Sequence, residues 1–544
     1  MRALARWFAS PGGLRAHAVD VAFMVVAVGW LAYILRITRE FSFWSDDLFL
    51  IEQAGSFGGL FEPYNDHMSL VILSIYRASA ELASFSYTPF MVAGALSLIA
   101  VPVAFYATTR SRLTAPLAAI LATPLVWYES PNLRPSSLNH YLALLGGVVA
   151  AAALNRGRRA DGVLAGALAF SLCSAGGGVV VAAACIGHCV LVRPPWRRWL
   201  AVLVPTALWA AWWLLVAEVG QIEPAFRLTN SEAVEVVRDL CLSPFYVAAF
   251  HIRPLAYLLM VAFVAHGVAQ VRLGLRAGAN FLAWSAASVL WAYGLVRSRG
   301  FLADPQSFRY AFLAMGFTLL AVVPRQPIRW SVLEGPVRER WLVAAAAVVL
   351  LLGGVRAIDV RASLQDFAEA HAQRGREARG TLIALELQPE VIPDDTPMGF
   401  FGIFQNLGTA ERVRVLLDRY GSPYDETTAT ADRALVDLEI ARAGVGRAAD
   451  HDGCSALSQP LSTPGVDDHG LGSGGTSAEP VPVRLWAPEP FTVDVRRFGE
   501  EWVRLVEAPA RRVVTVTLPA LHSTEPWEVR ADGACVLEAA APGP

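Results

Sequence analysis

Residues 19–35 read VDVAFMVVAVGWLAYIL, an apolar run whose only charge is Asp20. At about 1.5 Å of rise per residue, a helix over this run and its flanks covers a ~30 Å hydrocarbon core. The run is too long for a signal-peptide core, and no small-residue cleavage site precedes the next polar stretch, so it is expected to stay as a first membrane helix. Further apolar runs recur at 89–108, 114–129, 137–154, 161–174, 178–192, 199–217, 254–271, 279–296, 309–323 and 341–358. Over the whole chain of 544 residues, 55% are hydrophobic and 17% charged, below the roughly 25% charge of a soluble globular enzyme. The expected fold is an α-helical polytopic membrane protein with about eleven transmembrane helices. These fill residues 1–358, and a soluble α+β domain follows over 359–544.

Basic connectors give the orientation. TRSR at 109–112, NRGRR at 155–159, RPPWRR at 193–198, RLGLR at 272–276 and the arginines of 325–340 fall in every second loop, on the side of Arg2, Arg6 and Arg15. The positive-inside rule then puts the N-terminus in the cytoplasm. Outside lie the loops 38–88, 130–136, 218–253 and 297–308 and the C-terminal domain. This alternation holds only if residues 68–84, MSLVILSIYRASAELAS, do not cross; Arg77 and Glu81 among their apolar residues suit an interfacial or re-entrant helix. All 45 cationic side chains are arginine, and with abundant Ala, Gly, Val and Pro this points to a GC-rich bacterial source and a cytoplasmic-membrane location.

The soluble part reads as helical over 359–387, mixed over 388–455, a flexible Gly/Ser/Pro-rich loop over 456–482 and β-rich over 483–540. VPVRLW, FTVDVRRF, WVRLVEA and RRVVTVTLPAL alternate apolar and polar residues, as strands of a small antiparallel sheet or sandwich do. Cys454 and Cys535 are the two cysteines placed to pair if this domain is extracytoplasmic, although two isolated cysteines also stay reduced. A net charge of −2 and the lack of a basic stripe interleaved with aromatics exclude a nucleic-acid partner.

The chemistry concentrates in the first outer loop, in Phe43-Trp44-Ser45-Asp46-Asp47-Leu48 and then Tyr64-Asn65-Asp66-His67. Adjacent carboxylates beside a membrane are costly to desolvate unless they take a proton or a cation. One of Asp46 and Asp47 suits a general base toward a hydroxyl. Its neighbour then orients it, or holds a divalent metal (Mg2+, Mn2+ or Ca2+) with Asp66 or His67. The competing reading is structural, since Ser-Asp-Asp before an apolar run is also a helix N-cap pattern.

These features together resemble the GT-C superfamily of membrane glycosyltransferases, which draw sugars from polyprenyl-phosphate donors at the outer face. The likeness rests on the acidic pair straight after helix one, the interfacial segment 68–84, the many-span core and the C-terminal domain, and in composition the chain is similar to actinobacterial cell-wall arabinosyl- and mannosyltransferases. The resemblance implies a polyprenyl-phosphate-sugar donor at the lipid bilayer and a cell-envelope glycan or lipid acceptor. It also implies a first-loop carboxylate, Asp46 or Asp47, as the base, with inversion at the sugar carbon if displacement is direct.

Such a reaction needs cations for the departing phosphate. Arg309, within Phe308-Arg309-Tyr310, is the leading candidate, with Arg299, Arg297 and Arg134, each able to donate several hydrogen bonds. Snorkelling or an ion pair with Asp304 would equally explain Arg309. Glu129, Asn139, His140 and Glu223 are candidates for an acceptor groove, or simply polar loop residues. Cys185-Ile186-Gly187-His188-Cys189 lacks a second ligand pair, and Gly176-Gly177-Gly178 is a tight turn rather than a phosphate loop. Two other classes compete: a transporter or flippase, and an envelope scaffold whose Trp486, Trp502 and Trp527 either stack on sugars or fill a core.

Overall fold

The computed structural model describes residues 13–39, 41, 43, 47–64, 67–82, 86–109, 138–156, 158–216, 228–249, 251–299, 308–322, 382, 385, 394, 409–421, 442–448, 457, 460–462, 481–496, 502–518 and 528–539. In chain order the helices are α1 (Gly13–Ile37), α2 (Asp47–Ala54), α3 (Leu70–Leu82), α4 (Thr88–Thr109), α5 (Leu138–Leu154), α6 (Asp161–Leu172), α7 (Gly177–Val192), α8 (Trp196–Leu215), α9 (Asn230–Ala248), α10 (Arg253–Arg272), α11 (Ala279–Arg299), α12 (Phe308–Val322) and α13 (Ala410–Tyr420). The strands are β1 (Pro63–Tyr64), β2 (His67–Met68), β3 (Arg442–Ala448), β4 (Leu461–Ser462), β5 (Val481–Trp486), β6 (Phe491–Arg496), β7 (Val503–Ala508), β8 (Arg512–Leu518), β9 (Glu528–Arg530) and β10 (Cys535–Ala539). The chain divides into two units, Met1–Arg39 with Ser56–Ile75 and Phe90–Ala368, and Glu40–Gly55 with Tyr76–Pro89 and Glu369–Pro544.

The first unit is helical. Helices α4, α8, α10 and α11 are long and apolar enough to cross a membrane, and α5, α6, α7 and α12 are shorter apolar helices, an architecture consistent with a membrane protein. The apolar runs at 114–129 and 341–358 lie outside the described residues, as do most of 359–387. Within the bundle α5 packs on α6, α7 and α12, while α7 and α12 both pack on α11. Ser171 of α6 donates to the Ala143 carbonyl of α5 at 2.7 Å. On the rim the pattern reverses: Leu258, Val261, Val264 and Val268 of α10 are exposed apolar side chains, as they are where lipid is the solvent.

Two basic connectors meet at one end of this bundle. Arg198, at the start of α8, pairs with Asp161 of α6 at 2.9 Å and donates to the carbonyls of Leu154 and Arg156 at 3.1 and 2.9 Å. At the other end of α8, the Trp212 indole donates to the Phe61 carbonyl at 2.8 Å. The NRGRR and RPPWRR connectors therefore share one face, and part of the first long loop occupies the opposite one.

Two findings refine the sequence reading. Within 68–84 the helix is α3, and its 13 residues reach only about 20 Å, too short to span. It buries Ile72, Leu73, Tyr76 and Ala80 on one face, and Arg77 and Glu81 neutralise each other at 2.9 Å. The 218–253 loop contains a 19-residue helix, α9, opened by a capping box between Thr229 and Glu232. Hydrogen bonds from the Thr229 hydroxyl and backbone hold the Glu232 carboxyl below its ordinary pKa. The first turns of α9 are polar and exposed, which is why hydropathy alone reads a loop there.

The second unit contains α2, α13 and two four-stranded antiparallel sheets, ordered β10-β5-β8-β3 and β4-β9-β6-β7. Alternation places Val483, Leu485, Val514 and Val516 of one sheet and Val493, Val495 and Val529 of the other in a single core, the packing of a small sandwich. Asp494, Arg496, Arg504, Glu528 and Arg530 pair with one another across the second sheet. Burial raises the Asp494 pKa, but hydrogen bonds from Arg530 and Arg504 and their charges outweigh it and hold the carboxyl below its usual value. Cys535 is disulfide-bonded; Cys454 lies outside the described residues.

Candidate functional site

Of the acidic pair, Asp47 lies at the start of α2. Asp47 is the first residue of that helix, where the helix dipole favours a carboxylate, and its side chain is buried, at 3% exposure. Capping alone does not require what lies beside it: the Tyr76 hydroxyl, on fully buried Tyr76 of α3, donates to Asp47 Oδ1 at 2.6 Å. Phe43, also fully buried, packs edge-on against Tyr87 with ring centroids 5.3 Å apart. Asp46 lies outside the described residues.

Helix α2 has eight residues, too few to be stable alone in water. It is held at its far end by α13. Arg412 grips the Glu52 carboxylate with two donors, Nε at 2.8 Å from Oε1 and a second nitrogen on Oε2, and the carboxylate pushes the guanidinium pKa further up. Arg419 donates to the Gly55 carbonyl at 2.8 Å. Sequence reasoning missed Tyr76, Arg412 and Arg419. The buried-face spacing of α3 marks Tyr76 as inward, but nothing local links it to Asp47, and the two arginines sit some 360 positions from their partners.

His67 belongs to a second group, in the helical unit. Strand β2 leads into α3, whose Val71 amide donates to the Cys173 carbonyl at 3.1 Å, at the turn between α6 and α7. There the His67 ring lies against Gly176, so close that a Cβ on residue 176 would stand 2.7 Å from its Cε1. The glycine run is thus a tight turn that leaves room for an imidazole. One residue on, a Cβ at Gly177 would contact Ala143 of α5 and Leu313 of α12 at 3.7 and 3.8 Å. One turn before those residues, the His140 and Tyr310 rings lie edge to face at 6.4 Å. His67, His140 and Tyr310 therefore lie near the ends of α5, α7 and α12.

Asn139 is buried and its Oδ1 accepts from the His140 amide at 2.8 Å, a local helix-start bond. Arg297 is exposed near the end of α11. Arg134, Asp66, Glu129, Glu223 and the side chains of Arg299 and Arg309 lie outside the described residues. Among the described residues no group of three His, Cys, Asp or Glu side chains is placed to hold a metal ion. In the sandwich, Trp486 packs with Val513 and Cys535 in a small cluster of its own, while Arg496 and Arg530 each stack at 4.5 Å from the Trp502 ring. Both tryptophans are thus engaged within the fold, and Trp527 lies outside the described residues. No protein-family model matches the chain, and neither does any curated protein or solved structure.

Proposed function

We propose that the chain is a membrane glycosyltransferase that moves a sugar from a polyprenyl-phosphate donor to a cell-envelope acceptor on the outer face of a bacterial cytoplasmic membrane, with about eleven spans and an extracytoplasmic C-terminal domain. The observation that carries the reading is Asp47 at the start of a short helix, buried and hydrogen-bonded to Tyr76, in a chain that keeps its bundle apolar. A base must reach the acceptor hydroxyl. Asp47, buried and already accepting from Tyr76, suits orientation; its chain neighbour Asp46 takes the proton. The acceptor oxygen then attacks the anomeric carbon, the bond from that carbon to the phosphate oxygen breaks, and polyprenyl phosphate departs with its charge offset by arginine, Arg309 first. Inversion follows from direct displacement.

A transporter or flippase is the second reading, favoured by His188, Gln270 and Asn280 buried in α7, α10 and α11. Those three helices contain no acidic residue, so the charged relay typical of coupled transport is missing from them and the reading ranks behind transfer. The test is incubation of the purified protein with labelled sugars on a panel of polyprenyl phosphates, with cell-envelope glycan acceptors and with and without chelator. Sugar transfer is expected; movement of the intact donor across a vesicle membrane without transfer would favour the second reading.

A further inference from the structure

Asp47 sits on a helix that does not hold itself in place. An eight-residue helix gains too few internal hydrogen bonds to offset its nucleation cost, so external contacts set its orientation. Tyr76 fixes the first residue. The other end is fixed by two arginines seven positions apart on α13, a spacing that puts both on one face. Arg412 engages Glu52 through two nitrogens, and Arg419 donates to the Gly55 carbonyl just past the helix end, where the negative end of the dipole favours a cation. The close fit extends to Gly55: a Cβ there would lie 2.8 Å from Arg419 Nη1.

We propose that Arg412 and Arg419 are positioning residues, a two-point clamp on α2 that sets the direction of Asp47 about 10 Å away along the helix. The bidentate fork of arginine fixes direction as well as distance, which lysine does not. The clamp also explains why a segment far along the chain bears on the first loop: without α13, the base has no fixed bearing toward the acceptor. That catalytic consequence rests on the glycosyltransferase reading; the mechanical one does not.

The experiment uses the full chain in lipid nanodiscs, as wild type and as Glu52→Gln, Arg412→Gln, the double variant, Arg412→Lys and Arg419→Gln, with two readouts. Amide hydrogen exchange over residues 47–55 is expected to speed up about ten-fold in each of the three single Gln variants, no further in the Glu52→Gln, Arg412→Gln double than in its singles, and less in Arg412→Lys. Sugar transfer is expected to lose about ten-fold in kcat at unchanged KM, the penalty of a misaimed group. The pair is partly exposed, at 43% for Arg412 and 29% for Glu52, so the variants are expected to fold. Exchange unchanged from wild type overturns the clamp. Faster exchange with unchanged kcat overturns its role in positioning. Faster exchange in a protein that transfers no sugar upholds the clamp and sinks the glycosyltransferase reading instead.

Discussion

Helix α10 and the C-terminal sandwich arrange the same kinds of residue in opposite ways. On α10, Leu258, Val261 and Val264 are exposed at 63%, 60% and 51% while Gln270 is buried. In the sandwich, Val483, Val493 and Val514 are fully buried and the arginines and carboxylates pair outside the core. Such a contrast is expected of a chain that meets two solvents: an apolar surface is favourable only where lipid replaces water, and a charged one only where water remains. The candidate functional residues concentrate where the two patterns meet in sequence, in the first loop after the first apolar helix.

The largest expected effect comes from moving a charge across that contrast. Val514→Asp buries an unpaired carboxylate between the sheets and is expected to cost more than about 4 kcal/mol and unfold the sandwich in a thermal melt. Val261→Arg on α10 would be nearly neutral if that face met water, but is expected to cost about 2–3 kcal/mol in a bilayer. Equal stability of Val261→Arg and wild type in nanodiscs would break the comparison.

Asp494→Asn is next, at about 2 kcal/mol near neutral pH, because it removes charge-assisted bonds from Arg530 and Arg504. The folded-state pKa of Asp494 lies below its ordinary value, so the folded protein binds that proton less tightly than the unfolded chain does. The stabilisation is complete above the unfolded value of about 3.9 and is lost as pH falls through the lower folded value. The gap between wild type and variant in chemical denaturation is expected to be constant from pH 7 to 5 and to close below about pH 4. The smallest effect is Tyr76→Phe, which leaves a buried carboxylate oxygen without the 2.6 Å donor and is expected to cost about 1 kcal/mol. It should also slow transfer, while a tyrosine substitution on the exposed face of α11, Tyr293→Phe, changes neither.

The apolar helices were legible because they are long runs of hydrophobic residues: nine of the eleven expected segments coincide with helices, four of them long and apolar enough to cross a membrane, and the other two lie outside the described residues. Strands β5 to β8 were legible because each has one face in a core and so alternates. Strand β3, RAGVGRA, was not, since its small residues carry no contrast between faces. Helix α9 was hidden by its polar first turns, and α13 by a strongly charged sequence in which only one narrow stripe is apolar. In the candidate site, adjacency of two aspartates singled out the first loop, but the partners that fix Asp47 and α2 come from residues 76, 412 and 419, and pairings over such separations leave no local trace.

The most direct measurement is kcat for sugar transfer by Asp46→Asn and Asp47→Asn, side by side with wild type in nanodiscs, with exchange over α2 followed in each and a thermal melt confirming that each variant is folded. If Asp46 is the base and Asp47 orients it, Asp46→Asn loses at least about a hundred-fold and Asp47→Asn loses less and exchanges faster over α2. Turnover at the wild-type level in both variants would remove the acidic pair from the chemistry and contradict the account.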